Sequence, residues 1–506
     1  MISQTTPATD AETSGTPPPG TGILPQPVIL VVAAGLLVAG DWLLWDSRPG
    51  IALAVFGLLI LLAVASLAPP GRIAARHLAG LAGAVAGLLA VAEYVQPLSV
   101  AFMGLGLILL ALSFDERVGD RLSRNAHLVL VFPFLGAARL VQDMAAAGQK
   151  LSRRAWSPLN LAADWVLPAV IGLVFLGLFA LANPVIETWL DELARIDVPI
   201  DESLRLLFWA MILILVWPFL RTAACAWPVG WRADLPAPGE FSTGGLISTN
   251  SIRNALILFN GLFAVQTGLD ATYLWSGATL PEGMTYAEYA HRGAYPLVVT
   301  ALLAGAIVIG VTTLFRPDRL MRRLILVWIA QNVALLGSSV LRLNLYVAAY
   351  SLTYLRIAAF IWMGLLAAGF LVLVARLVLG KSNRWMVAWN AGLAGAVLYA
   401  SCFVNFADAI ARYNIAHSSI VDLEAGPLDT RYLCGLGPQA LLAVLEIEGL
   451  ATTLRCGGRP IAEHLAFDPP DTWRGWTFRD WRLSGYLAET GLEEERVSHG
   501  WRYPGR

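Results

Sequence analysis

The sequence predicts an all-α fold: a polytopic transmembrane helix bundle of about eleven spans, amino terminus inside and carboxyl terminus outside, followed by a small extracytoplasmic module. Three observations predict it. Hydrophobic residues make up 57% of the chain and charged ones 14%, with mean hydropathy +0.63, far more apolar than an ordinary soluble domain. Apolar runs of about 17 to 25 residues recur, the length that crosses a hydrocarbon core of about 30 Å. Lys and Arg alternate between the connections in the way that basic loops staying cytoplasmic would produce.

Residues 1–22 are rich in Thr, Pro and Gly, hold Asp10 and Glu12 and lack Lys and Arg, so they read as a disordered tail rather than a signal peptide. The transmembrane domain is expected over 23–406. Its spans are placed at 27–45, 50–68, 74–91, 98–114, 165–182, 204–220, 255–275, 294–314, 324–341, 355–377 and 386–406. The segment 127–146 is interrupted by Pro133 and Arg139 and reads as an interfacial helix. Gly83 and Gly87 make a G-x-x-x-G packing face on the third span, and Asn183-Pro184 ends or kinks the fifth. Asp41 and Glu93 read as interfacial.

One set of alternate loops holds eighteen basic residues, among them Arg117 to Arg154 and Arg316 to Arg323. The other holds four, Arg48, Arg195, Arg292 and Arg342, together with the acidic run Glu187 to Glu202. Anionic lipid headgroups and topology account for the basic 117–154 loop, and no nucleic-acid partner is expected. Residues 407–506 are more charged and form the extracytoplasmic module. Cys434 and Cys456 there are either a disulfide, if that side is oxidising, or two buried thiols. The Trp- and Arg-rich end (Trp473, Arg474, Trp476, Arg479, Trp481, Arg482) suits the rim of the bundle at a membrane interface.

Ionisable groups beside hydrocarbon are costly and mark functional candidates by default. With each residue turning about 100°, Gln266, Asp270 and Tyr273 share an arc of about 60° on the seventh span. Gln331, Ser338, Arg342 and Tyr346 share about 80° on the ninth, and Asn405, Asp408 and Arg412 about 60° beyond the eleventh. The short connection after the seventh span carries Glu288, His291 and Arg292. Together these predict one outward-facing polar pocket that takes a small polar or lipid-linked ligand. The alternative is a structural network in which Arg342 pairs with Asp270 or Glu288 and Asp408 pairs with Arg412. Gln331, Asn332, Ser338 and Ser339 read as interhelical hydrogen-bond glue.

Glu288 and His291 stand at i, i+3, but two residues do not make a zinc site. The cysteines show no metal-ligand spacing, and there is no P-loop, H-E-x-x-H, G-x-S-x-G or Rossmann fingerprint. No metal or cofactor is expected and no catalytic residue is nominated. Three functions compete: binding or transport, a structural or sensory envelope role through the carboxyl-terminal module, and an intramembrane enzyme on envelope precursors with Glu288 or Asp270 as base and His291 as acid.

Several strings resemble a bacterial family of polytopic membrane proteins known as DUF4173, related to DUF4153. They are Ala182-Asn183-Pro184-Val185, Asp270-Ala271-Thr272-Tyr273-Leu274-Trp275, Met284 to Gly293, Leu341-Arg342-Leu343-Asn344-Leu345-Tyr346 and Trp473-Arg474-Gly475-Trp476. The resemblance runs from about Trp165 to near the end and leaves the first four spans outside it. It implies a multi-pass protein of the bacterial inner membrane and supplies no activity or substrate.

Overall fold

A computed structural model describes residues 26–68, 74–114, 129, 132, 140, 143, 200–224, 249–275, 307, 318–423, 426–447 and 449–489. The tail, the predicted fifth span and, except for Ile307, the predicted eighth span lie outside these residues, as do Glu288, His291 and Arg292. The described residues are mostly helical. The chain divides into two compact units, 1–229 with Thr472–Gly475, and 230–471 with 476–506.

The first unit contains α1 (Gln26–Leu44), α2 (Ile51–Leu67), α3 (Ala75–Glu93), α4 (Pro97–Ser113) and α5 (Ile200–Ala224). Pro97 opens α4 at a position where its missing N–H costs nothing. Helices α3 and α4 make the closest pairing, and glycine is the reason. A Cβ on Gly80 would come 2.8 Å from the Leu110 Cα, and one on Gly106 would strike the Gly83 backbone. The G-x-x-x-G face predicted from Gly83 and Gly87 is thus a real seam, set against α4. Phe132, in the segment read as interfacial, is 1% exposed and packs on Phe219 in this core. Glu93, read as interfacial, is buried.

The second unit contains α6 (Thr249–Asp270), which continues as a π-helical turn (Ala271–Trp275), then α7 (Arg319–Tyr350), α8 (Tyr354–Leu379) and α9 (Asn383–Ser401). Side-chain caps start three of these helices: Asp318 accepts from Met321 N at 2.7 Å, Thr353 from Arg356 N and Ser382 from Trp385 N. Gly380, at φ 64°, closes α8 in the left-handed conformation that glycine adopts freely. Leu256, Met321, Ile325, Trp328, Ile329 and Phe370 are the centre of their apolar core. The α9 helix ends earlier than the predicted eleventh span, and after a 73° bend α10 (Phe406–Ala416) begins.

Beyond the bend lie α11 (Thr430–Cys434), α12 (Leu441–Leu445), α13 (Leu450–Thr453), the antiparallel pair β1 (Arg455–Cys456) and β2 (Arg459–Pro460), α14 (Ile461–His464) and α15 (Phe478–Glu489). Gly457 and Gly458 both have positive φ, which the two-residue hairpin between the strands requires. Ile410, Ile415, Val444, Ile461, Leu465 and Leu483 form a separate apolar cluster. Cys434 and Cys456 are joined by a disulfide with Cα atoms 5.9 Å apart, which resolves the two alternatives for that pair.

Among the described residues four helices are long and apolar enough to cross a membrane, namely Ala75–Glu93, Leu204–Arg221, Arg319–Tyr350 and Tyr354–Leu379, or up to five if the bent pair α9–α10 is one span. Val28–Leu44, Ile51–Leu67 and Pro97–Ser113 are shorter apolar helices. The fold is helical and membrane-type, and a count of eleven spans stays a proposal.

Candidate functional site

The seam between α6 and α7 carries the polar groups that the helical arcs align. The two helices run parallel along it. Near one end, Asn260 donates from Nδ2 to the Leu324 carbonyl at 3.1 Å, and Gln331 donates from Nε2 to the Asn260 carbonyl at 3.1 Å. Near the other, the Arg342 guanidinium pairs with the Asp270 carboxylate, and Gln266 Nε2 donates to the same Asp270 oxygen at 3.0 Å. Trp275 Nε1 donates to Ser338 Oγ at 3.2 Å. Gln331 and Ser338 therefore join helices, as glue would. Asn332 and Ser339 instead bond carbonyls one turn back in their own helix.

Asp270 is 0% exposed and Arg342 3%. Arg342, expected in an outer loop just past a span ending at 341, lies inside α7 because that helix continues to Tyr350. Asp270 closes the α-helical part of α6, and the π turn begins at the next residue. A π turn inserts one residue into the helical repeat and is frequent at functional sites. Here it swings Trp275 toward Ser338, one turn before Arg342, so both ends of the α7 pair are met from α6.

Tyr346, on the same α7 stripe, belongs to a different cluster. Its ring packs on Tyr350 at 4.8 Å and takes the Arg356 guanidinium over its face at 4.5 Å. Asn405 and Asp408 engage the carboxyl-terminal residues. Asn405 donates to the Gln439 carbonyl at 3.1 Å and caps α10 by accepting from Asp408 N. Arg412 donates to Asp408 Oδ2 at 2.7 Å and to Glu446, and these two hydrogen bonds hold its guanidinium above its usual pKa. The described contacts bring Gln266, Asp270 and Arg342 together and direct Tyr346, Asn405 and Asp408 elsewhere. Of Tyr273 only the backbone is described, within the π turn.

Two further clusters went unread in the sequence. On α5, Arg205 and Trp209 both donate to Asp41, at 2.9 and 2.7 Å, and Trp217 and Arg221 both donate to Asp143, at 3.0 and 2.7 Å. The signal was present: Arg-x-x-x-Trp at one end of the helix and Trp-x-x-x-Arg at the other, each pair on one face. Arg205 and Arg221 are sixteen residues apart, about 24 Å at 1.5 Å per residue. At the Asp41 end, Arg474 donates to the Trp42 carbonyl at 2.7 Å, and Trp473 packs on Trp42.

Under the α9–α10 bend, Arg479, 5% exposed, donates to the Cys402 carbonyl at 2.8 Å. Beside it Gln439 donates to Asp480 Oδ1 at 2.6 Å, and burial raises the Asp480 carboxyl above its ordinary value. The Gln439 and Thr477 hydrogen bonds and the Arg479 charge oppose that rise.

A model of the DUF4153 family, described as a domain of unknown function, matches residues 28–447. The match begins in α1, so it takes in the first four spans that the DUF4173 resemblance left out, and it ends before Trp473-Arg474-Gly475-Trp476. DUF4153 is the family shown, in place of its relative DUF4173. No curated protein and no solved structure matches.

Proposed function

The chain belongs to the DUF4153 family, and we propose that it binds or transports a small polar or lipid-linked molecule through a site at the Asp270–Arg342 pair, as a multi-pass protein of the bacterial inner membrane. The observation that carries this reading is the full burial of that pair between two apolar helices beside a π turn. Replacing a buried ion pair by apolar side chains is commonly neutral or stabilising, so stability alone is a weak reason to hold one. A pair that a ligand opens is a better reason. Arg342 would bind the anionic part of the ligand and Asp270 would take a proton or a polar donor, with Gln266 keeping the released carboxylate hydrogen-bonded.

The orientation proposed is amino terminus in and carboxyl terminus out over eleven spans, with residues 407–506 as the outer module. The Asp41–Arg205 contact supports it, because it sets the end of α1 beside the start of α5, the two ends expected outside. Asp143 and Arg221 likewise join two segments expected inside. The disulfide in the carboxyl-terminal residues suits an oxidising side.

The test is water access. Single cysteines at Gln266 and Ser338, with Cys225 and Cys402 replaced, are labelled in intact cells with an impermeant thiol reagent, against Ala264 and Val340 as opposite-face controls. Labelling confined to Gln266 and Ser338 is the expected result. Protection of both would mean a sealed lock, and the binding reading would be wrong.

A second reading, sensing through the carboxyl-terminal module, is favoured by one observation. Asn414 of α10, 4% exposed, accepts from Leu352 N at 2.6 Å and donates to Leu352 O at 2.9 Å. It thereby grips the turn that follows the helix carrying Arg342. Glu288 and His291, on which an enzyme reading rests, lie outside the described residues.

A further inference from the structure

A groove of about 340 Å³ opens where α8 begins, lined by Tyr354, Asp429, Arg431, Tyr432, Gly435 and Leu436. Its size is at the lower end of small-molecule sites. Its walls are fixed before any ligand arrives. Asp429 Oδ1 accepts from Tyr432 N at 2.9 Å, and the Tyr432 hydroxyl accepts from Tyr354 N at 3.0 Å. The turn that leads in is held equally firmly: Ser351 has φ 67° and ψ 170°, a conformation nearly confined to glycine. Asn414 on Leu352 and Arg356 on the Tyr350 and Ser351 carbonyls keep it there.

The charges in this groove are of opposite sign, and each is available. Asp429 and Arg431 are both exposed, and neither has an ion-pair partner among the described residues. Tyr354 and Tyr432 line the same groove as the carboxylate. A carboxylate in a groove lined by aromatic residues suits an ammonium group, and a guanidinium suits a phosphate. The location adds the rest of the argument. Tyr354 is the first residue of Tyr354–Leu379, a helix long and apolar enough to cross a membrane, and its neighbour Leu355 is 82% exposed. On the loop leading toward α11, Val421 and Leu423 are 59% and 93% exposed. Apolar side chains next to tyrosines at a helix end place the groove at headgroup depth.

We propose that this groove binds the zwitterionic phosphate–amine headgroup of a phospholipid such as phosphatidylethanolamine, with Asp429 and the tyrosine faces on the ammonium and Arg431 on the phosphate. This site is separate from the Asp270–Arg342 seam and stands whether or not that seam binds a ligand. A headgroup seated there lies against Tyr432 and so against the first turn of α8.

The experiment is native mass spectrometry of the full chain released from mixed micelles holding equal phosphatidylethanolamine and phosphatidylglycerol. The wild type should retain the zwitterionic lipid over the anionic one by roughly tenfold, about 1.4 kcal/mol. Asp429→Asn keeps a capping side chain on Tyr432 N and should stay folded and lose the preference, whereas Arg431→Gln, at an exposed residue whose phosphate contact both lipids share, should lower the retention of both. Equal retention of the two lipids by the wild type, a preference unchanged in Asp429→Asn, or lipid retention unchanged in Arg431→Gln overturns the proposal. Free O-phosphoethanolamine is then added. Displacement of the lipid shows that the headgroup alone suffices, and lipid held against it assigns the source to the bilayer.

Discussion

The second unit holds the same chemistry in two settings. In the α6–α7 seam one carboxylate and one guanidinium, Asp270 and Arg342, are withdrawn from water to 0% and 3% side-chain exposure. In the carboxyl-terminal residues Asp408, Arg412 and Glu446 form a comparable bridge at 22%, 42% and 44%. There the buried polar groups among the described residues are hydroxyls, amides and one arginine, and backbone carbonyls take several of their bonds, as Asn414 binds Leu352 and Arg479 binds Cys402. The difference teaches where each region keeps its cost. The seam carries the penalty of two desolvated charges and depends on both partners being present, whereas the other region leaves most of its charge in water and draws rigidity from neutral bonds.

The largest expected effect tests this contrast directly. Arg342→Gln leaves Asp270 buried opposite a neutral side chain and should cost about 3–5 kcal/mol, while Asp270→Leu with Arg342→Met should recover most of the loss. Arg412→Gln should cost less than about 1 kcal/mol, because an exposed pair gains little over water. Thermal unfolding of the four proteins in one detergent reads all of these. A loss at Arg342 as small as that at Arg412 would mean that water already reaches Asp270, breaking the comparison and strengthening the open-site reading.

An intermediate effect is expected at the α7–α8 turn. Asn414→Ala removes both bonds to Leu352 and should cost about 1–3 kcal/mol, since it strands a backbone N–H and a carbonyl. Ser351→Gly should stabilise by about 1 kcal/mol, since φ 67° is strained for serine and open to glycine. If Ser351→Gly instead destabilises, the bonds from Asn414 and Arg356 do more than offset local strain, and the contrast between the two regions narrows.

How much of this was legible can be traced residue by residue. Hydropathy placed α1 to α4 and α7 to α9 because a lipid-facing helix must be apolar over most of its length, and Gly83 and Gly87 announced close packing because only glycine allows it. The cost of burying a charge offered Arg342 two partners, Asp270 or Glu288, and the described contacts give it Asp270. What the helical arcs could not supply was the neighbour of each stripe. Arcs give the face of a helix and not which neighbour meets it: Asn405 bonds Gln439 and Asp408 shares Arg412 with Glu446, both more than thirty residues on in sequence. The extent of α7 was also misjudged, because Arg342 looks like a loop charge until its carboxylate is known. The α5 clamps on Asp41 and Asp143 were missed for the same reason, each bridging residues far apart in the chain.

The smallest effect concerns Asp480, where burial and neutral bonding meet in one residue. Its carboxyl is raised above the ordinary value of 3.8, so the folded chain holds this proton more tightly than the unfolded chain does. The sign follows. Stability from this group is fully present below the unfolded value and is lost as pH rises through the folded one. Asp480→Asn removes the titration while keeping an oxygen for Gln439, so the variant should gain on the wild type as pH rises above the ordinary carboxyl value of 3.8 and behave like it below that value. Unfolding temperatures of both proteins above and below it measure the gain. Parallel curves would mean that the Arg479 charge and the two hydrogen bonds, which favour the carboxylate, fully offset burial, and that the carboxyl-terminal region holds a charged pair after all, as the seam does.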